Sequence, residues 1–255
     1  MCEIKIDKLS GIGKVDYYKC RSCGFVLSKT HAEMESLKWE ILNRNYHTYG
    51  ESPDNIKEHN PPPYLEQAMF LKVLMNNSII SGNILDWGSG YGTLAGIMDK
   101  YFNVKIKVYD KYMQRAESKG IDYIQQSGLS HLTFDTVISS AVFEHIRNRE
   151  DMEEINKCVA DNGALVVHTV VCEEVPKDPD WFYLGAVHCA FHTNKSMKLL
   201  MDQWGYKSSI YCPLAKSWVL FRENRTNINQ LVKKINLEFQ FQYLYYKNGF
   251  MDYWK

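Results

Sequence analysis

The sequence predicts an α/β fold: a three-layer sandwich whose mostly parallel, seven-stranded sheet ends in an antiparallel hairpin. Three observations carry that expectation. From about Ser81 to Arg222 short apolar runs alternate with helical stretches, as buried parallel strands do when helices cover both faces. A glycine-rich turn, Asp86-Trp87-Gly88-Ser89-Gly90-Tyr91-Gly92, follows the first of these strands. The last two runs, Tyr206 to Tyr211 and Ser217 to Arg222, are joined by a short turn containing Pro213, a spacing that suits a hairpin.

Taken in order, Tyr18-Lys19-Cys20-Arg21-Ser22-Cys23-Gly24-Phe25-Val26-Leu27 reads as a short hairpin around a tight turn. Residues 31–60 are polar and aromatic, helical in part, and end in the breaker Asn60-Pro61-Pro62-Pro63. Leu65, Met69, Leu71, Val73 and Leu74 then mark an amphipathic helix from Tyr64 to about Asn76. Strands follow at Asn83–Asp86, Val104–Asp110, Ile121–Ile124, Phe134–Ser140 and Gly163–Val171, separated by helices at Thr93–Tyr101, Lys111–Lys119 and Arg149–Ala160. Cys172 to Thr193 is a long segment before a helix from Asn194 to Trp204, stopped by Gly205. The chain divides into an N-terminal appendage (1–60), an α/β domain (61–222) and an aromatic-rich helix and tail (223–255).

The composition excludes several classes. Thirty Lys+Arg balance thirty Asp+Glu, so no global field draws the protein to nucleic acid or to anionic lipid. No apolar run reaches the roughly 18–20 residues that span a bilayer, and Met1 to Asp7 lacks the layout of a signal peptide. Seven cysteines, an odd number scattered through 255 residues, point to reduced thiols in a cytoplasmic protein. Cys20-Arg21-Ser22-Cys23 resembles half of a zinc knuckle, but there is no second Cys-x-x-Cys. Cys2, His31 or His47 could in principle complete a site, yet a relic hairpin is the simpler reading and no metal is expected.

The glycine turn is where ligand chemistry is expected. Glycines there let the backbone approach a ligand closely, and open α/β sheets bind ligands beyond the carboxyl ends of their strands. A dinucleotide fingerprint would need its third glycine at position 93, which is Thr93, so a cofactor without a pyrophosphate fits better. Asp110 ends the second strand about twenty residues on, where a carboxylate can take both ribose hydroxyls.

These residues resemble class I S-adenosylmethionine-dependent methyltransferases over about Asn83 to Arg222, including the closing hairpin. The resemblance implies a Rossmann-like fold and S-adenosylmethionine held by Asp86, Gly88, Ser89, Gly90, Gly92, Asp110 and Lys111. It also implies contacts from Ser140, at the end of the fourth strand, and from Gln126, in the place often held by an adenine-binding acid. Ala141-Val142-Phe143-Glu144-His145-Ile146 resembles the Glu-His signature of a subgroup that includes small-molecule and polysaccharide-sugar methyltransferases. His145 is then either the base that takes an acceptor proton or, with Glu144, a wall of the pocket. The segment from Cys172 adds His188 and His192 as further candidate bases. Trp181 and Tyr183 are candidates to stack on substrate, the alternative being a local mini-core. The closing Asn248 to Lys255 strengthens the likeness to bacterial surface-polysaccharide methyltransferases, which implies a sugar-like small molecule as substrate. The aromatic tail could be a homodimer face, a lid, or a packed last helix.

Overall fold

The computed structural model describes residues 12–50, 62–112, 121–129, 131–223 and 227–253. Residues 1–11, the Asn60-Pro61 part of the breaker, Trp254 and all but the first two residues of the helix expected at Lys111–Lys119 lie outside them. In chain order the elements are β1 (Tyr17–Lys19), β2 (Val26–Ser28), α1 (Lys29–Ala32), α2 (Ser36–Gly50) and α3 (Tyr64–Asn76). Next come β3 (Ile84–Trp87), α4 (Thr93–Phe102), β4 (Lys107–Tyr109), β5 (Asp122–Tyr123), α5 (Gln126–Leu129) and β6 (Phe134–Ser140). A single 3-10 turn at Phe143–His145 leads to α6 (Arg149–Lys157), β7 (Val159–His168), β8 (Val171–Cys172) and β9 (Ala190–Thr193). The chain closes with α7 (Asn194–Gln203), β10 (Ser208–Cys212), β11 (Ser217–Phe221), α8 (Ile228–Phe239) and β12 (Tyr245–Asn248).

The main sheet runs β12-β10-β11-β7-β6-β3-β4-β5. The pairs from β7 through β5 are parallel, whereas β11 pairs antiparallel with β7 and with β10. This is the Rossmann-like sheet with the antiparallel close that the sequence predicts. The difference is an eighth strand: β12, from the aromatic tail, adds antiparallel to β10. Its burial is low and its sequence, Tyr-Tyr-Lys-Asn, lacks the apolar alternation of a core strand, which is why the pattern reads as tail.

Strand periodicity divides the core into two layers. Ile84, Val108, Ile138, Ala164, Val166 and Val219 pack on one face with α3, α4 and α8. Their neighbours Leu85, Tyr109, Val137, Leu165, Val167 and Leu220 pack on the other with α6 and α7. A period of two places successive side chains on opposite faces, so helices on both sides bury strands that are apolar throughout.

A second sheet, ordered β1-β2-β9-β8, brings the N-terminal hairpin onto the segment that follows β7. The sequence reads β9 as part of a loop, because a strand of only Ala190–Thr193 is too short to show periodicity. The Thr193 hydroxyl accepts from Ser196 N to cap α7 and donates to the Cys23 carbonyl at 2.6 Å, fastening the Cys20–Cys23 turn to the main body. Among the described residues no helix is long and apolar enough to cross a membrane.

Trp218 is fully buried, stacks on Phe250 with centroids 5.4 Å apart and donates its indole N–H to the Met251 carbonyl at 2.7 Å. Trp218→Ala is expected to cost about 3–5 kcal/mol in denaturant unfolding and to expose residues after Gly249 to limited proteolysis.

Candidate active site

The order of the main sheet reverses between β3 and β6: the chain moves outward from β3 to β4 and β5, then returns to β6 on the other side. Loops leaving the two central strands therefore diverge, and a crevice opens beyond their carboxyl ends. A cavity of about 340 Å³ occupies this place, lined by the loops after β3, β4 and β6 and covered by α2 and the segment before β9.

Gly88, Gly90 and Gly92 all have positive φ, at 76°, 55° and 74°. At Gly88 a Cβ would lie 2.5 Å from Val142 Cγ2, and at Gly92 one would lie 2.8 Å from Ile121 Cδ1. The glycines thus serve both the left-handed turn and close contact with the loops on either side. Gly90 N donates to Asp110 Oδ2 at 2.8 Å, and Tyr112 N donates to Asp110 Oδ1 at 2.8 Å. These two bonds orient the carboxylate where Asp110 lines the cavity. Asp86 is 3% exposed, and burial, followed by the charge of Asp110, raises its pKa to about 7.

Beyond β6, Ala141 takes φ of 55°, a strained conformation for a residue with a Cβ, and the chain turns sharply into the 3-10 turn. That turn carries Glu144, 2% exposed, into a polar nest. The Tyr183 hydroxyl donates to Glu144 Oε1 at 2.6 Å and the Thr169 hydroxyl donates to Oε2 at 3.0 Å. Burial, with the Glu144 charge second, holds the Tyr183 phenol protonated. Cys189 N donates to the Glu144 carbonyl at 2.7 Å, which pins the segment before β9 to the main sheet.

His145 and His188 complete the nest, their ring centroids 4.9 Å apart. His188 Nδ1 lies 2.7 Å from the Tyr183 carbonyl; only a ring N–H can donate there, so the lone pair sits on Nε2. His145 Nδ1 is buried without a protein partner. Burial lowers the pKa of both rings, that of His145 well below the ordinary value, and the neighbouring imidazoles push His145 further down. Both are neutral at pH 7, and each carries a ring nitrogen lone pair.

The structure therefore brings Gly88, Gly90, Asp110, Lys111, Ser140, Glu144, His145, Tyr183 and His188 to one cavity. It does not bring His192 there. That ring is 4% exposed, packs between Phe25 and Phe143, and has neither nitrogen hydrogen-bonded. Its position in β9, one residue before the cap of α7, turns it into the core rather than toward the crevice. Trp181 likewise packs on Phe191 and Tyr183 in a local cluster and does not line the cavity. Gln126 opens the one-turn α5 and Ser89 is buried beneath the loop, both off the cavity wall. Asn43, Tyr46 and His47, all on α2, line the cavity as well. Position in the sequence offers Tyr46-His47-Thr48-Tyr49 as part of a lid over the cofactor, while Asn43 carries no signal of its own; the side chain of Tyr49 lies outside the described residues.

A family model described as a methyltransferase domain matches residues 57–208, more than half of the chain. The chain belongs to the methyltransferase-domain family. Among solved structures it is similar to human N-acetylserotonin methyltransferase in complex with SAM, with a TM-score of 0.50, 15% identity, and coverage of 72% of this chain and 57% of that one. It is also similar to an O-methyltransferase family protein from Burkholderia thailandensis, with a TM-score of 0.50, 11% identity, and coverage of 75% and 61%. The chain thus spans about three-fifths of the length of these neighbours, and the likeness is one of fold. No curated protein sequence matches it.

Family membership implies S-adenosylmethionine, and the crevice fits that group. Trp87, at the end of β3, lines the cavity, and its indole N–H is buried without a protein partner. Asp110 lines the cavity with its carboxylate held by two backbone N–H groups, whereas Asp86, buried in β3, is not among the lining residues.

The correction at His192 yields a pH prediction. Its pKa falls by burial from 6.5 to about 4 in the folded protein. A group held neutral in this way contributes stability that is present above the unfolded value and is lost as pH falls through the folded one. His192→Leu should reduce the slope of unfolding free energy between pH 6.5 and 4 by up to about 1.4 kcal/mol per unit, Asp86 contributing equally to both proteins. An unchanged slope by denaturant titration would show that the ring is solvated.

Proposed function

We propose that the protein is an S-adenosylmethionine-dependent O-methyltransferase acting on a hydroxyl of a sugar or nucleotide-linked sugar, in the assembly of a surface polysaccharide. The observation that carries the reading is the Glu144, His145 and His188 nest beside the glycine loop, in the cavity that Asp110 also faces. When bound, S-adenosylmethionine supplies an electrophilic methyl carbon on a sulfonium sulfur, the C–S electron pair staying with sulfur as the acceptor takes the methyl.

The residues of the chain divide the remaining work. Gly88 and Gly90 offer backbone to the methionine portion, Asp86 takes its ammonium, and Asp110 takes the ribose hydroxyls. Lys111, held by Asp151 at 3.0 Å, flanks the same end. On the other side a neutral imidazole of His145 or His188 accepts the acceptor's hydroxyl proton, leaving the O–H electron pair on oxygen for attack. Tyr183 and Thr169 hold Glu144 so that its charge stabilises the imidazolium formed.

An amine acceptor would need little of this, since its nitrogen already carries a lone pair; the buried nest of proton acceptors favours a hydroxyl. The sugar reading draws on the polar groups that crowd the acceptor side, Asn43, Tyr46 and His47 facing Glu144, His145 and His188. A polyhydroxylated ring matches a lining with this many polar groups better than an apolar acceptor does.

Incubation with methyl-labelled cofactor and a panel of nucleotide sugars tests this directly. Label should appear as a sugar methyl ether, and His145→Asn should lower kcat about 100-fold or more with little change in cofactor affinity. Transfer to an amine, or transfer undiminished in that variant, would contradict the proposal.

A further inference from the structure

We infer that Glu144, His145 and His188 form a binding site for a single divalent transition-metal ion, zinc being the best match. One ligand atom from each of the three lies within 4.8 Å of the others, the one such group among the described residues. Even at that outer bound, a cation at the centre of the triangle is about 2.8 Å from each donor, so side-chain shifts of under about 1 Å reach the 2.0–2.2 Å of zinc bonds.

The surroundings match those of a metal site as well as the donors do. Ligating histidines generally give their second nitrogen to a carbonyl or carboxylate, which fixes tautomer and aim. His188 Nδ1 is held by the Tyr183 carbonyl at 2.7 Å. His145 has a hydrogen bond to the backbone of Val187 and a buried, unpartnered Nδ1. The carboxylate is oriented in turn by Tyr183 and Thr169. Two nitrogens and one carboxylate suit zinc among divalent ions. Three protein ligands also leave positions open, as in catalytic rather than structural sites.

The catalytic consequence rests on the function proposed above; the metal site does not. Ligation uses the lone pairs that would otherwise take the acceptor proton. In the loaded protein the charge of the cation acidifies the acceptor hydroxyl: its O–H bond breaks, the electron pair stays on oxygen and the proton passes to water. The open positions could take two neighbouring sugar hydroxyls together.

The test begins with full-length protein stripped by chelator and titrated with zinc, then with cobalt(II) as a spectroscopic probe. One equivalent should bind, and His188→Gln and Glu144→Gln should each weaken binding at least tenfold. Because either variant could perturb folding, the X-ray absorption spectrum of the cobalt-loaded wild type is the second measurement; it should show imidazole scattering and no sulfur. Failure of zinc and cobalt to bind stoichiometrically would overturn the site. So would a sulfur-rich spectrum, which would place the ion at Cys20 and Cys23. Methyl transfer undiminished in the stripped protein would overturn the catalytic part and leave the methyltransferase reading standing. Stoichiometric metal with no transfer to any acceptor would sustain the site and count against that reading.

Discussion

The buried carboxylate of Glu144 is the constraint around which the site is organised. A carboxylate taken out of water costs several kcal/mol unless it is hydrogen-bonded or paired. The turn after β6 carries the group, and the compensation comes from two other stretches of chain: Thr169 follows β7, and Tyr183 belongs to the segment that leads to β9. Removing any one partner leaves a charge buried with too few donors. The segment from Cys172 to Cys189 is therefore held against the sheet by electrostatics as much as by its aromatic packing. His188 arrives with it, and the cavity gains its second imidazole.

The cofactor half of the crevice obeys a different constraint, backbone proximity. Gly88 must lie against Val142, and Gly92 against Ile121, because a side chain at either would strike the neighbouring loop. That contact couples the glycine loop to the turn that carries Glu144 and His145. Two sets of groups with different chemistry are thus held in one cavity by close contact between the loops that carry them.

Much of this was legible in the amino-acid pattern. Runs such as Phe134–Ser140 and the crossing helices have strong periodicity, and Gly88, Gly90 and Asp110 sit beyond strand ends, where sheet topology alone places the crevice. The Glu144-His145 pair was legible through resemblance. Which histidines join it was not, because His188 and His192 lie four residues apart in a segment without periodicity. Only the pairing of β9 with β2 and β8 turns His192 into the core between Phe25 and Phe143. Trp181 is diverted in the same way by Phe191. The eighth strand escaped notice because an edge strand half in solvent needs no apolar face. Asn43 joins the cavity from α2 beside Tyr46 and His47 through tertiary packing that leaves no local mark at that position.

Cofactor and acceptor are proposed to meet at the Glu144 nest. A crystal structure with S-adenosylhomocysteine addresses it most directly. Ribose hydroxyls on Asp110, the ligand ammonium at Asp86, and the sulfur facing His145 and His188 across the cavity are expected. A sulfur directed away from these residues, or a ligand bound elsewhere, would contradict it.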